Sequence, residues 1–296
     1  LFRVLKNIMT SAKSSEIQRD HVVIIDEVNR LVRTRHGWFL ANAYDYYLGH
    51  ALLKYGECSE LEYQLFAMLL SHGDHIIEVG SNIGVHTVGL AQVVGDTGKV
   101  IAVEPQPHLY RVLNANLALN NIQNVTTHLC GCGMHREFWT LPASDYTKPV
   151  AHNSGSVSLS PSGPGIEVQV VPLDELVPDS YAPRLIKVDV EGMELDVLHG
   201  GHGLIQRHRP LLYVENDRID KRRALIQRIL DLDYRAWWHL PPLYNPDNYF
   251  GVSDNEYPNV VSVNMLCIPR EQNYFATDGL IEIIAADADF SHIPCS

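Results

Sequence analysis

The sequence predicts an α/β fold: a doubly wound, mostly parallel sheet with helices on both faces and an N-terminal cap. Two observations predict it. Apolar runs of strand length alternate with amphipathic stretches of helix length from residue 76 to residue 240. One run, Ile76-Ile77-Glu78-Val79, passes through Gly80-Ser81-Asn82-Ile83-Gly84 directly into an amphipathic stretch, Val85 to Val94. That pattern reads as a buried strand, a tight turn and a helix start.

Composition narrows the class. The chain has 296 residues, 46% apolar and 20% charged, as in a soluble globular protein. That length suits one α/β domain with an extension, divided as a cap over residues 1–72 and a ligand-binding domain over 73–296. Against 23 basic residues stand 35 acidic ones, a net charge of −12. This opposes binding to nucleic acid or an anionic membrane, which needs a basic surface. No run reaches the length of a membrane helix. The five cysteines, Cys58, Cys130, Cys132, Cys267 and Cys295, are odd in number and irregularly spaced. They read as reduced thiols of a cytoplasmic protein. The first residue is not Met and no signal-peptide pattern follows it.

In chain order, Val22–Ile25 and Gly37–Leu40 are candidate strands, and Tyr44-Asp45-Tyr46-Tyr47 either lines a pocket or packs. Ser59 can cap a helix from Glu60 to about Leu70. Glu57 just before it either reaches a ligand amine or is a surface acid. The core begins near Asp74: a strand at 76–79, a helix at 85–94, a strand at 99–103, and a helix through Leu109 and Leu113 to Leu119. A third strand, 125–130, ends at Cys130-Gly131-Cys132-Gly133. Residues 134–165 are irregular, then Ile166–Val170 alternates like an edge strand. Strands follow at 185–189, 211–214, 234–240 and 260–268, with helices starting near Met193 and Lys221. Residues 276–288 read as a terminal amphipathic helix.

The turn after the first core strand carries the chemistry. Gly80 lets backbone approach a ligand, and Gly84 lets the helix pack closely. Ser81 and Asn82 can cap the helix, whose free N–H groups attract an anion. Glu104-Pro105 closes the next strand, at about the 20-residue spacing where a carboxylate meets ribose hydroxyls. A dinucleotide loop would place a glycine where Asn82 stands, and a P-loop would need Gly-Lys-Ser/Thr. The loop therefore suits a nucleoside-bearing ligand without phosphates, such as S-adenosylmethionine, with its amino-acid end at the loop and its ribose at Glu104. Cys130 and Gly131 would flank the adenine. Glu78, Glu104, Asp189 and Glu215 lie at or near strand ends, where ligands of such sheets bind.

These motifs resemble the FkbM family of S-adenosylmethionine-dependent methyltransferases, of the class I, Rossmann-like fold. The matching pieces are Tyr55–Glu60, Glu78–Thr87, Glu104-Pro105, Asn153-Ser154-Gly155, Val171–Asp174 and Ile186–Glu194. They stand in family order across residues 55 to 217, and the last is the most specific. The resemblance implies a seven-stranded sheet with its last strand antiparallel, and methyl transfer, usually to a hydroxyl of a sugar or natural product. It leaves residues 1–50 and 241–251 unexplained.

Transfer from a sulfonium needs an aligned acceptor, and a hydroxyl also needs its proton removed. Asp189 is the candidate base or base-orienter, or else a loop clamp, with Glu215 as second carboxylate. A cofactor-binding set of Glu57, Glu78, Gly80, Ser81, Asn82, Gly84, His86, Thr87, Glu104, Pro105, Cys130 and Gly131 is expected. A less favoured variant has Asp189, Glu215 and Asn216 hold Mg²⁺, similar to catechol-type O-methyltransferases. The expected partner is a small acceptor, a carbohydrate or hydroxylated metabolite. An amine or protein acceptor and a catalytically silent cofactor-binding protein are the alternatives. The sequence carries no reading of oligomeric state.

Overall fold

The structure, a computed structural model, describes residues 21–273 and 277–290. It opens with a three-stranded antiparallel sheet of β1 (Val22–Ile24), β2 (Asn29–Thr34) and β3 (Gly37–Asn42). Helices α1 (Leu48–Tyr55) and α2 (Glu60–Leu69) follow. The Asp45 carboxylate accepts the N–H groups of Tyr47 and Leu48 at 3.1 Å and so starts α1. Ser59 holds the N-cap position of α2 but makes no side-chain cap bond there.

Next come β4 (His75–Val79), α3 (Val85–Val94), β5 (Lys99–Val103), α4 (Pro107–Leu119), β6 (Val125–His128) and β7 (Gly131–Cys132). Then follow β8 (Glu137–Leu141), β9 (Ile166–Val171), α5 (Leu173–Leu176), β10 (Leu185–Val188), α6 (Glu194–Gly200) and α7 (His202–His208). The remaining elements are β11 (Leu211–Glu215), α8 (Ile219–Asp231), β12 (Tyr234–His239), β13 (Asn264–Pro269) and β14 (Ile281–Ile283).

The main sheet has the order β14-β12-β13-β11-β10-β4-β5-β6. Strands β11, β10, β4, β5 and β6 run parallel, and β13 is antiparallel to both β11 and β12. The chain moves from β4 outward to β5 and β6, then crosses to β10 on the other side. The strand order therefore reverses beside β4, where such sheets hold their ligands.

Both faces of the sheet are covered. Ile77, Val79, Ile186 and Val188 pack with Val197, Leu198, Leu204 and Ile226 of α6, α7 and α8. Ile76, Val100, Leu185 and Leu211 pack with Phe66 and Leu90 of α2 and α3. Alternation along β4 sends Ile76 and Ile77 to opposite faces. Both are fully buried, each contributing roughly 1.5–3 kcal/mol. Asn116 of α4 and Asn120, the C-cap residue one turn on, fasten the N-terminal sheet: their Oδ1 atoms accept the N–H groups of Leu40 (2.7 Å) and Trp38 (2.8 Å) of β3.

Several expectations are corrected. The sheet has eight strands, not seven, because residues 281–283 pair with β12. The helix expected over 276–288 is not formed at 277–288; residue 276 lies outside the described residues. Gly279 at φ 84° interrupts that stretch, and β14 covers the edge of β12 while Ile283 enters the core. The strand expected over 125–130 ends at His128, and the next short strand, β7 at Gly131–Cys132, belongs to a different sheet. The expected edge strand 166–170 is instead central, between β7 and β8. Its partner β8 lay hidden in the irregular stretch 134–165. The last long strand starts at Asn264, not Val260. Cys295 lies outside the described residues. Among the described residues, no helix is long and apolar enough to cross a membrane.

Candidate functional site

A cavity of about 320 Å³ opens over the carboxyl ends of β5, β4, β10 and β11. The turn after β4 forms its floor. Gly80 has φ 87°, and a Cβ there would fall 1.7 Å from the Asp189 carbonyl oxygen. Only glycine fits so close to the neighbouring strand end. Asn82 is also left-handed, at φ 49°, and its Oδ1 accepts the Ile83 N–H at 2.8 Å. The Ser81 hydroxyl donates to the Glu78 carbonyl at 3.2 Å. Neither residue caps α3; Gly84 occupies the N-cap position without a side-chain bond, leaving the first N–H groups free. Gly84 packs against Leu113 of α4 and does not line the cavity.

Glu104 stands at the end of β5, 3% exposed. Oε2 accepts the Asn82 N–H at 2.8 Å and Oε1 accepts the Gln106 N–H at 2.9 Å. Each oxygen keeps a lone pair for a further donor. Burial pushes the carboxyl up to about 7, against the pull of those two N–H groups. Above it, the Gln106 side chain donates to the Ser154 carbonyl at 2.9 Å and accepts from the Tyr146 hydroxyl at 2.6 Å. Ser154 also pairs with Asp45. The irregular stretch is thereby held against the cavity, whose wall includes Pro105, Cys130, Gly131 and Asn153.

At the other end lies a charged centre. Lys187, 1% exposed on the central strand, places Nζ 3.0 Å from Asp189 Oδ2. Glu78 and Glu62 also act on it, and the three acids outweigh burial, holding the ammonium above its usual value. Glu78 accepts the Thr87 hydroxyl at 2.5 Å, and burial lifts its carboxyl to about 7. Glu62 of α2 is likewise raised to about 7 by burial. His86 lies 3.8 Å from Glu62; burial and Lys187 lower it to about 3, so its ring is neutral. Glu191 reaches the cavity paired with Arg218. Glu215 is raised well above the carboxylate range by burial and by Asp189 and Asp217.

The cavity thus brings together Glu78, Gly80, Ser81, Asn82, His86, Glu104, Pro105, Cys130, Gly131, Asp189 and Glu215. Four expected residues stand elsewhere. Glu57 faces away: its carboxylate holds Arg35 (2.7 Å), the Asn245 side chain (2.8 Å) and the Tyr249 N–H (2.8 Å). It ties down the segment 241–251, of which Leu243 reaches the cavity. Thr87 acts behind Glu78, and Gly84 behind the loop. The Asn216 amide points at Met265 Sδ, 3.2 Å away, because successive residues leave a strand on opposite faces. Among the described residues, the carboxyls close enough to share a cation are those of Asp189, Glu191 and Glu215, in place of the set with Asn216. His239, at the end of β12, bonds the Tyr213 hydroxyl at 2.8 Å.

Residues 78–236, more than half of the chain, match the model of the Methyltransferase FkbM domain. The chain belongs to the FkbM methyltransferase family. Methyltransferase 1 of Beauveria bassiana (strain ARSEF 2860) is 32% identical, over 42% of this chain and 57% of that protein. Methyltransferase sdnD of Sordaria araneosa is 29% identical, over 42% of this chain and 59% of that one. This FkbM chain thus spans somewhat more than half the length of these relatives. The crystal structure of Methyltransferase FkbM from Methylobacillus flagellatus KT shares 21% identity, covering 68% of this chain and 47% of that one at a TM-score of 0.47.

Sequence reasoning missed Lys187, Gln106, Glu62 and the wall Val260–Val263 of this FkbM chain. A lysine within the apolar run Leu185–Val188 was a readable sign of a buried ion pair. Glu62 had none, since its partners come from α3 and β10.

Proposed function

We propose that this chain is an S-adenosylmethionine-dependent methyltransferase, acting on a hydroxyl of a sugar or other small metabolite. The observation that carries the reading is Glu104: a buried carboxylate, oriented by two backbone N–H groups, beside a glycine loop and across the cavity from Asp189. The donor set fits the ligand. Both Glu104 oxygens are open to ribose hydroxyls, the free N–H groups of α3 suit a carboxylate, and small residues at Cys130 and Gly131 admit a flat ring.

When bound, S-adenosylmethionine supplies an electrophilic methyl group. The chain's own residues align the acceptor and manage its proton. Asp189, held by Lys187, is positioned to accept a hydroxyl proton or to orient the hydroxyl, with Glu215 beside it. The cap expected over residues 1–72 belongs to the same reading, because its Tyr47, Leu48, Cys58 and Ser59 line the cavity. We take the reaction to be metal-independent, since Lys187 and Arg218 already neutralise Asp189 and Glu191. Full activity after dialysis against EDTA is expected; lost activity restored by Mg²⁺ would reassign those acids to a cation.

Calorimetric titration with S-adenosylhomocysteine, for the wild type and Glu104→Ala, tests the reading. Binding weakened by the substitution supports it and opens a screen of sugar acceptors with labelled methyl donor. No binding by the folded protein would sink it.

A further inference from the structure

Glu215 has no partner. Its side chain makes no hydrogen bond or ion pair among the described residues, and its buried Oε2 lacks any donor. The other acids of this rim are paired: Asp189 with Lys187 at 3.0 Å, Glu191 with Arg218, and Asp217 with Arg218 at 3.4 Å. The charges acting most strongly on Glu215 are those of Asp189, Asp217, Glu191 and Glu194, all acidic. An acid left in this state lacks a donor, and the cation whose field reaches it, Arg218, is already paired with Glu191 and Asp217.

Sheet order says what supplies them. Glu215 is the register neighbour of Asp189, because Val188 pairs with Val214. It therefore lies two strands from the loop after β4, on the side away from Glu104. A nucleoside held at Glu104 leaves this end of the cavity to the second substrate. The cavity is also lined by Leu243, Val260, Val261, Ser262 and Val263, and the Asn216 N–H donates to the Val263 carbonyl at 2.7 Å, setting that segment beside Glu215. A bound anion would meet four carboxyls. A neutral hydroxyl would bring a donor but no charge.

Building on the methyltransferase reading, we propose that the methyl acceptor carries a protonated amine seated against Glu215, on a compact hydrocarbon frame that lies along Leu243, Val260, Val261 and Val263. An ammonium offers three donors and a further positive charge at a rim where four carboxyls share Arg218 and Lys187, and the frame is desolvated against the valine-rich wall. The amine anchors the acceptor, and the hydroxyl it carries is the group presented to Asp189.

The test uses a matched pair, trans-4-aminocyclohexanol and trans-1,4-cyclohexanediol, titrated at pH 7 into the full chain saturated with S-adenosylhomocysteine. Ligand-observed NMR reads the binding. The amine is expected to bind at least tenfold more tightly than the diol, with the preference lost in Glu215→Gln, whose fold is checked by circular dichroism. Equal binding of the two probes by the wild type overturns the proposal without reference to any variant. Binding of neither probe overturns it, as does a preference that persists in Glu215→Gln. Mg²⁺ binding that depends on Glu215, with no preference between the probes, also overturns it and assigns the carboxyl to a metal. Failure of S-adenosylhomocysteine to saturate the protein is a separate result: it removes the cofactor reading, and the proposal with it.

Discussion

The Glu104 carboxylate accepts the backbone N–H of Asn82 at 2.8 Å, tying the end of β5 to the tip of the loop after β4. The two strand ends are thus held in fixed relation. Glu104→Ala is expected to weaken S-adenosylhomocysteine roughly 10- to 100-fold, as hydrogen bonds to a charged group of about 1.5–3 kcal/mol would imply. Glu104→Gln should lie between it and the wild type. Isothermal titration measures both, with far-ultraviolet circular dichroism confirming the fold.

The same group sets a pH dependence of binding. Glu104 titrates near 7 in the ligand-free protein, raised by burial, and ribose hydroxyls are bound best by its ionised form. Affinity for S-adenosylhomocysteine should therefore rise as pH increases through 7 and level off near 8. The dissociation constant measured from pH 5.5 to 8.5 gives the profile, which should flatten in Glu104→Gln. An unchanged slope in that variant would exclude Glu104 as the titrating group.

Stability follows the opposite course. Glu62, Glu78 and Glu104 are raised to about 7, above their unfolded values, so the folded state binds their protons more tightly. The stability they contribute is fully present below the unfolded carboxylate range and is lost as pH rises through 7. His86 and His239, lowered to about 3 and about 4, act the other way, and their effect is complete above about 6.5. Between about pH 6.5 and 8 the glutamates decide, and the ligand-free protein should melt at a lower temperature at pH 8. Differential scanning calorimetry at the two pH values checks the sign.

Lys187 is the buried cation that Glu62, Glu78 and Asp189 share. Lys187→Met keeps the volume but leaves three acids facing one another. The expected loss is about 3–5 kcal/mol, the scale for breaking a buried pair from one side. Urea denaturation measures it. Adding Asp189→Asn to Lys187→Met should recover part of the loss.

Gly80→Ala should damage both fold and site. Its Cβ would overlap the Asp189 carbonyl, and φ 87° disfavours any side chain. Strain of about 1–3 kcal/mol, plus displacement of the loop, should reduce S-adenosylhomocysteine affinity more than tenfold. Gly251→Ala is a control: it has a positive φ but nothing within 4 Å of an added Cβ. It should lose stability without losing binding.

The parallel core was legible element by element. The strand read at 76–79, the helix at 85–94 and the strand at 99–103 stand within a residue of the structure, because local hydrophobic period and glycine placement determine them. The small sheet of β7, β9 and β8 was not, since Glu137–Leu141 becomes a strand only by pairing with a segment some 30 residues away. The same applies to β14, whose three residues are a strand because the edge of β12 needs a partner.

The candidate site divides along the same line. By itself the sequence determined which residues stand at strand ends, since alternation and turn chemistry act over a few residues; Glu104 and Asp189 were named on that ground. Only tertiary structure decided which of those residues share one cavity. Glu57 turned to Arg35 and Asn245, Asn216 turned to Met265, and Lys187 drew Glu62 from α2 and Glu78 from β4 to join Asp189 at the end of its own strand. Desolvation is the reason: a buried charge must find its counter-charge wherever the fold brings one, and no sequence interval specifies that distance.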